Sequence, residues 1–277
     1  MFGVFLLLFG TLCEEVSLTI GKFAVRRRME GVNTIGFVNS FQAIPFLLVP
    51  FFLYASERSL VVSHLGLVLF LTILNVAQSF LTVHALSRAS RTTFGFVRTG
   101  TIPLVLLFDA LLGYNVSFQR IAGILIITAT MFLLYKNHGI ERRGIWWAIF
   151  SAVNGAITTT IFKYLVSHGN GVAAVSLISY ASMAFVMFLV ATRAKERPFF
   201  HARKPLVLAQ SAALGIASIV ENYAFLFLQA SVVMALKRSL SVVWSIVSGR
   251  EYFHERHLWT KIAGCAGLLI GMALLAL

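Results

Sequence analysis

Residues 230–264 read ASVVMALKRSLSVVWSIVSGREYFHERHLWTKIAG, and this stretch decides the fold. It opens as an apolar helical run whose middle carries two adjacent cations, Lys237 and Arg238. It closes in a charged turn, 250–256, and restarts as a second apolar run. A related stretch, ASRTTFGFVRTGTIPLVLLFDALLGYNVSFQRIAG, lies 141 positions earlier, from Ala89 to Gly123. Both begin Ala-Ser, and both end Ile-Ala-Gly after a basic residue, Arg120 or Lys261. The offset holds elsewhere without a gap: Lys22 falls on Lys163, Val25 on Val166, Met131 on Met272, and Leu133 and Leu134 on Leu274 and Leu275. A constant register at both ends of each half marks an internal duplication.

The chain has 277 residues, 58% of them hydrophobic and only 12% charged, with a mean hydropathy of +0.86. Soluble domains carry about 25% charged residues, so this chain lacks the surface that water requires. Apolar runs of about 18–22 residues recur along it, each long enough to cross a hydrocarbon core of about 30 Å. Lipid as solvent demands helices or a closed barrel. Runs this long and continuous are not the alternating strands of a barrel. The expected class is an all-α membrane protein.

Ten transmembrane helices are expected, at 2–24, 34–55, 62–86, 91–112, 118–136, 144–167, 171–192, 205–228, 231–249 and 258–277. The first dozen residues belong to the first span, because they show neither the basic start nor the cleavage motif of a signal peptide. The first five-helix repeat covers 1–136, a connecting loop 137–143, and the second repeat 144–277. Five is odd, so the second copy enters from the opposite side, giving two inverted five-helix repeats. Such architectures place substrate near the midplane and work by alternating access. A duplicated structural bundle without a conduit is the plainer alternative.

The net charge of +13 resides largely in the connections, where Lys and Arg meet lipid headgroups. Membrane lipid, not nucleic acid, is therefore the expected partner. Arg26, Arg27, Arg28, Arg88, Arg91, Arg142, Arg143, Arg193, Arg197, Arg203 and Lys204 follow odd-numbered spans, against little beyond Arg58 and Arg120 after even ones. That bias puts the odd loops in the cytoplasm and both termini outside. Cys13 and Cys265 lie inside apolar runs and imply neither disulfide nor metal. Asn115-Val-Ser117 fits the glycosylation pattern only in a turn that hugs the membrane. His254-Glu255-Arg256-His257 spaces its histidines three apart, not four, in a charged turn. No phosphate loop, nucleophile elbow or cysteine pair appears. The chain reads as no enzyme, with no cofactor and no metal.

An ionisable side chain at membrane depth is costly unless paired or wet, so each is a functional candidate. Thr11, Glu15, Thr19 and Lys22 form one stripe of the first span, with Glu14 beside it. A carboxylate there could carry a proton or pair with a cation on another helix. Lys22 could equally snorkel to the interface. The equivalent sixth span carries Asn154, Thr158, Thr159 and Lys163, whose threonines could instead bond their own backbone. The third span offers Asn75, Gln78 and an interfacial His84, and the eighth the cluster Glu221-Asn222-Tyr223 after Gln210 and Ser218. Arg98 sits about seven residues into the fourth span, before Gly100 and Pro103, which can loosen a helix. Lys237 and Arg238 sit at the same depth in the ninth, with Ser241, Trp244 and Ser245 nearby. Two related cationic centres would suit an anionic or zwitterionic solute, gripped bidentately by Arg. Alternatively, Glu15 and Glu221 neutralise these cations within the bundle.

On the Ala-Ser turns before spans four and nine, the Phe253-His254-Glu255 turn and the final IAGCAGLLIGMALL, the chain resembles the drug/metabolite transporter superfamily, in its ten-span EamA-like branch. The resemblance covers essentially the whole chain. MALKRSLSVVWSIVSG is also similar to the ninth span of sugar-phosphate and nucleotide-sugar carriers, which implies that Lys237 and Arg238 meet a phosphate. The chain departs from the pattern in having Glu14-Glu15 in place of a Trp-Gly-Ser/Asn type sequence, and no acidic residue in the first turn. Its loop charge bias is also reversed, since the resemblance implies the opposite orientation.

The resemblance implies a secondary active transporter, an exporter or exchanger of small polar metabolites such as amino acids or organic anions, in the cell (inner) membrane. Arg98, Lys237 and Arg238 would bind a carboxylate or phosphate, while Glu15 and Glu221 would bind an amine or carry a coupling proton. The alternative is a proton-coupled multidrug or cation exporter using Glu14 and Glu15; Glu14 resembles the first-span carboxylate of small multidrug members. A third reading is a lipid-interacting or assembly protein with a closed bundle.

Overall fold

A computed structural model describes residues 2–26, 31–111, 117–136, 142–196, 205–253 and 258–276. Among the described residues the chain is helical, with no strand. The helices are α1 (Phe2–Arg26), α2 (Val32–Leu53), α3 (Leu65–Arg88), α4 (Arg91–Arg98), α5 (Thr101–Leu111), α6 (Phe118–Lys136), α7 (Ile145–Ser167), α8 (Val172–Arg193), α9 (Pro205–Phe227), α10 (Ala230–Phe253) and α11 (Leu258–Ala276). Seven of them, α1–α3 and α7–α10, are long and apolar enough to cross a membrane. This is a helical, multi-pass membrane architecture. The other three expected spans correspond to shorter apolar segments, Thr93–Phe108, Ile121–Leu134 and Ile262–Gly271. One expectation needs correction: 91–112 is not a continuous helix but α4 and α5, parted at Thr99–Gly100. Asn115, the turn 254–257, and Arg27, Arg28, Arg197, Arg203 and Lys204 lie outside the described residues.

The helices form two compact units, each drawing on both halves of the sequence. The first comprises Met1–Val83 and Ile161–Phe227, the second His84–Thr160 and Leu228–Leu277. These spatial units are a different division from the repeats expected at 1–136 and 144–277.

In the first unit α1 packs on α9, and α2 on both α8 and α9. Its core includes Phe37, Val38, Ala184, Met187 and Val207. A second cluster joins Val68 and Leu71 of α3 to Leu165 and Val175. The α2–α8 pair is fastened at each end by a carboxylate. The α2 N-terminus has no side-chain cap of its own, its N-cap being Gly31. Glu196, just past the end of α8, supplies one: it accepts from the Thr34 N–H at 2.7 Å, the Thr34 hydroxyl at 2.6 Å and the Asn33 amide at 3.1 Å. At the other end Glu57, just past α2, accepts from the Ala173 N–H at 2.8 Å, at the start of α8. Each carboxylate thus meets the orphan N–H groups and positive dipole end of the partner helix. Gly31 and Gly171 precede these helices because a β-carbon there would fall 2.1 Å from the Glu196 carboxyl carbon or 2.4 Å from the Glu57 carbonyl oxygen.

In the second unit α10 packs on α4, α5 and α11, and α11 on α6. Without a hydrophobic drive between helices in lipid, small residues that let backbones approach do the work. Gly264, Gly267 and Gly271 line one face of α11. β-carbons on them would meet Leu134, Thr130, and Ile127 with the Gly123 carbonyl of α6. Gly95 of α4 similarly admits the Ser245 hydroxyl, 2.5 Å from where its β-carbon would be.

Gly271→Ala drives its new carbon to 2.9 Å from the Gly123 carbonyl oxygen, and a backbone group yields little. We expect this substitution to cost about 1–3 kcal/mol by overpacking, read as a lowered unfolding midpoint in detergent. Gly66→Ala, where the added carbon meets nothing, is the control, neutral or stabilising by up to about 1 kcal/mol.

Candidate functional site

The buried ionisable side chains of the two units differ in sign. Among the described residues of the first unit they are Glu15 and Glu221, 1% and 7% exposed; in the second they are Arg98 and Arg238, 7% and 2% exposed.

In the first unit, the Thr11 hydroxyl of α1 donates to Glu221 Oε1 of α9 at 3.2 Å. Gly10 allows that approach, since a β-carbon there would sit 2.7 Å from Glu221 Cγ. Glu15 lies one turn beyond Thr11 on the same helix, with the half-buried Glu14 beside it. Thr19 turns its hydroxyl back to the Glu15 carbonyl at 2.8 Å. Neutral polar contacts also join the helices of this unit. Asn222 donates to Ser176 at 3.0 Å, Tyr180 to Ser218 at 2.6 Å, Asn75 to Ser179 at 3.1 Å, and Gln210 to Asn39 at 3.0 Å. Gln210 is buried, and its Oε1 accepts no hydrogen bond among the described residues. Ser176, Ser179 and Tyr180 share one face of α8 by helical spacing; that stripe is visible in the sequence and completes the polar seam.

Other candidates of this unit have local duties. Lys163 donates to the Phe225 carbonyl at 2.6 Å, near the end of α9. Gln78 donates to Thr82 of its own helix at 3.2 Å. The Tyr223 hydroxyl is buried and makes no hydrogen bond among the described residues. Lys22 is half-buried.

The second unit is organised by the break between α4 and α5. Gly100 weakens the helix there, and Pro103 has no N–H to give the Thr99 carbonyl. The chain responds with tighter bonds: Thr99 N–H to Phe96, Gly100 N–H to Val97 and Ile102 N–H to Thr99, at 3.0, 3.1 and 2.9 Å. The Thr99 hydroxyl caps the Phe96 carbonyl at 2.6 Å, and the Thr101 hydroxyl donates to the Arg98 carbonyl. The same Thr101 oxygen accepts from Arg238 Nε of α10 at 3.1 Å. One hydroxyl therefore joins the interrupted backbone to a buried guanidinium. Arg98 lays its own guanidinium over Phe94, 5.0 Å from the ring centre, a favourable cation–π position. Ser241 is buried, while Lys237 and Trp244 are half-buried on α10.

Asn154 is buried on α7 of this unit. Thr158 donates to the Asn154 and Gly155 carbonyls and Thr160, in the same helix, to that of Ala156, so both serve their own helix; Thr159 turns to the Met234 sulfur at 3.8 Å. His84 stacks on Trp147, which also carries the Arg88 guanidinium at 4.8 Å. Among the described residues no group of three His, Cys, Asp or Glu side chains converges as a metal would require.

No protein-family model matches this sequence, and no curated protein is significantly similar to it.

Thr101→Val keeps the shape of the break but leaves Arg238 Nε and the Arg98 carbonyl facing a methyl group. We expect a loss of about 1.5–3 kcal/mol, the range for a hydrogen bond to a charged group. Thr101→Ser should recover most of it. Thermal unfolding of the two purified variants beside the parent decides.

Proposed function

We propose that the chain is a secondary active transporter of small polar metabolites, amino acids or organic anions, built as ten spans in two inverted repeats of the drug/metabolite transporter type. The carrying observation is the helix break at Thr99–Gly100, with the Arg98 and Arg238 guanidinia buried beside it. Broken helices at membrane depth are where transporters bind charged solutes, and irregular backbone there is tolerated only in protein or against a water-filled cavity. In this reading Arg98, Arg238 and Lys237 hold the substrate carboxylate or phosphate. Glu15 and Glu221 carry a coupling proton or meet an amine. Alternating access in a cell membrane is the mode of action.

Two further features support this reading. The reciprocal caps of Glu57 on α8 and Glu196 on α2 are what a two-fold relation between spans two and seven would produce. The three shorter apolar segments fall where spans four, five and ten are expected.

A second reading, a proton-coupled exporter of cations, is favoured by the depth of Glu15 and by the Thr11–Glu221 contact. In it Glu14 and Glu15 receive the cation or the proton.

The test is flux into proteoliposomes of labelled amino acids, organic and sugar phosphates and quaternary cations. We expect uptake of an anionic or zwitterionic solute, reduced at least about tenfold in Lys237→Gln, as for a lost charge-assisted bond. Uptake of cations alone, abolished in Glu15→Gln, would favour the second reading. Flux of no compound by a well-folded preparation would overturn transport altogether.

A further inference from the structure

At the Glu57 end of the α2–α8 pair, the loop 54–64 is tied to the turn 168–171 by its own hydrogen bonds. The Gly171 N–H donates to the Ser59 carbonyl at 2.9 Å, and the Ser59 hydroxyl to the Gly169 carbonyl at 2.9 Å. At the centre is the buried Asn170. Its Oδ1 accepts from the Val61 N–H at 2.9 Å, and its Nδ2 donates to the Leu165 carbonyl at 2.9 Å. The same Nδ2 lies 3.0 Å from His64 Nδ1.

These contacts fix a protonation state. A backbone N–H demands an acceptor and a backbone carbonyl demands a donor, so the Asn170 amide has only one orientation. Its second hydrogen then points at His64 Nδ1, which has to offer a lone pair. His64 is neutral in this arrangement, with its proton on Nε2. Imidazolium would set N–H against N–H and replace a bond with a repulsion.

His168 behaves oppositely. Its Nδ1 lies 2.8 Å from the Tyr164 carbonyl, which only accepts, so that nitrogen carries hydrogen in either charge state. Protonating His168 at Nε2 leaves its bond intact. Among the described residues the titratable rings of His168 and Tyr164 face His64, with centres 6.1 and 5.9 Å away. In its own loop Glu57 accepts from the Ala173 N–H, and Arg58 donates to the Phe51 and Phe52 carbonyls. The clamp at the other end, Glu196 with Asn33 and Thr34, has no imidazole among these partners.

We propose that His64 and Asn170 form a proton-operated latch: neutral His64 holds the α2–α3 loop on the α7–α8 turn, and a proton on His64 Nδ1 releases it. The released form binds one proton more than the latched form, so lowering the pH favours release. Imidazole is the side chain that changes charge between about pH 5 and 8. Release would also loosen Glu57, which shares the loop, from the start of α8. The latch does not depend on the transport reading.

Hydrogen–deuterium exchange on the purified protein in detergent tests it, at about pH 7.5 and about pH 5.5 on either side of the imidazole range, after correction for intrinsic rates. Segments 57–64 and 168–173 should lose protection about tenfold or more at the lower pH, the equivalent of one buried bond, while 31–36 stays unchanged. His64→Asn, whose amide oxygen accepts without titrating, should keep protection and abolish the pH response. His168→Asn should retain the response. Unchanged protection in the parent, or a response that survives in His64→Asn, would overturn the proposal.

Discussion

A guanidinium withdrawn from water has to be met by protein dipoles, and in this chain one threonine hydroxyl meets part of that requirement. Thr101 accepts from Arg238 and donates to the Arg98 carbonyl, the carbonyl of the last residue of α4. In hydrocarbon neither group has water to fall back on. The break and the cation are thus mutually dependent: without Gly100 and Pro103 the hydroxyl would face an intact helix, and without Arg238 it would satisfy only one neighbour. Hydrogen bonds in series polarise one another in a low dielectric. The same setting makes the arrangement intolerant of partial loss.

The first unit solves a different electrostatic problem with the opposite charge. Its helix ends would leave four N–H groups each without partners, and two loops answer with carboxylates from across the α2–α8 pair. Because each helix is capped by the segment following the other, neither end can separate without exposing a helix dipole. Glu15 and Glu221, by contrast, lie within the lengths of α1 and α9 and away from helix termini. Glu221 accepts there from the Thr11 hydroxyl of α1. A hydroxyl can bond either protonation state of a carboxyl.

The helix positions were legible because a solvent of fixed thickness imposes a length on every apolar run, and the boundaries agree within a few residues along most of the chain. Gly100 and Pro103 carried the signal of the break, yet they read as a loosening because an apolar run continues on both sides. The carboxylate caps were not legible. Glu57 and Glu196 lie in connections, where charge is read as topology, and their partners are about 116 and 162 residues away. Nor could spacing divide the candidates: Lys163 and Lys22 stand 141 positions apart at matching places in the sequence, but the Lys163 ammonium tethers the end of α9. Tyr223, beside Glu221 in the sequence, keeps a buried hydroxyl that makes no hydrogen bond among the described residues. Which way a side chain turns depends on the neighbour, and the neighbour comes from tertiary packing.

That last point bears on the closed-bundle alternative. A bundle needing only stability is served as well or better by apolar side chains, because burying a charge costs about as much as its partner returns. Here the costly residues are not scattered. Glu15 and Glu221 belong to two helices that pack together, α1 and α9, and Arg98 and Arg238 to another such pair, α4 and α10. Each pair is opened by a glycine, Gly10 against Glu221 and Gly95 against Ser245 of the helix that carries Arg238. Close backbone approach beside a buried charge gives up apolar packing in return for position. Position matters when something has to be bound or moved, and this distribution favours a working site over inert packing.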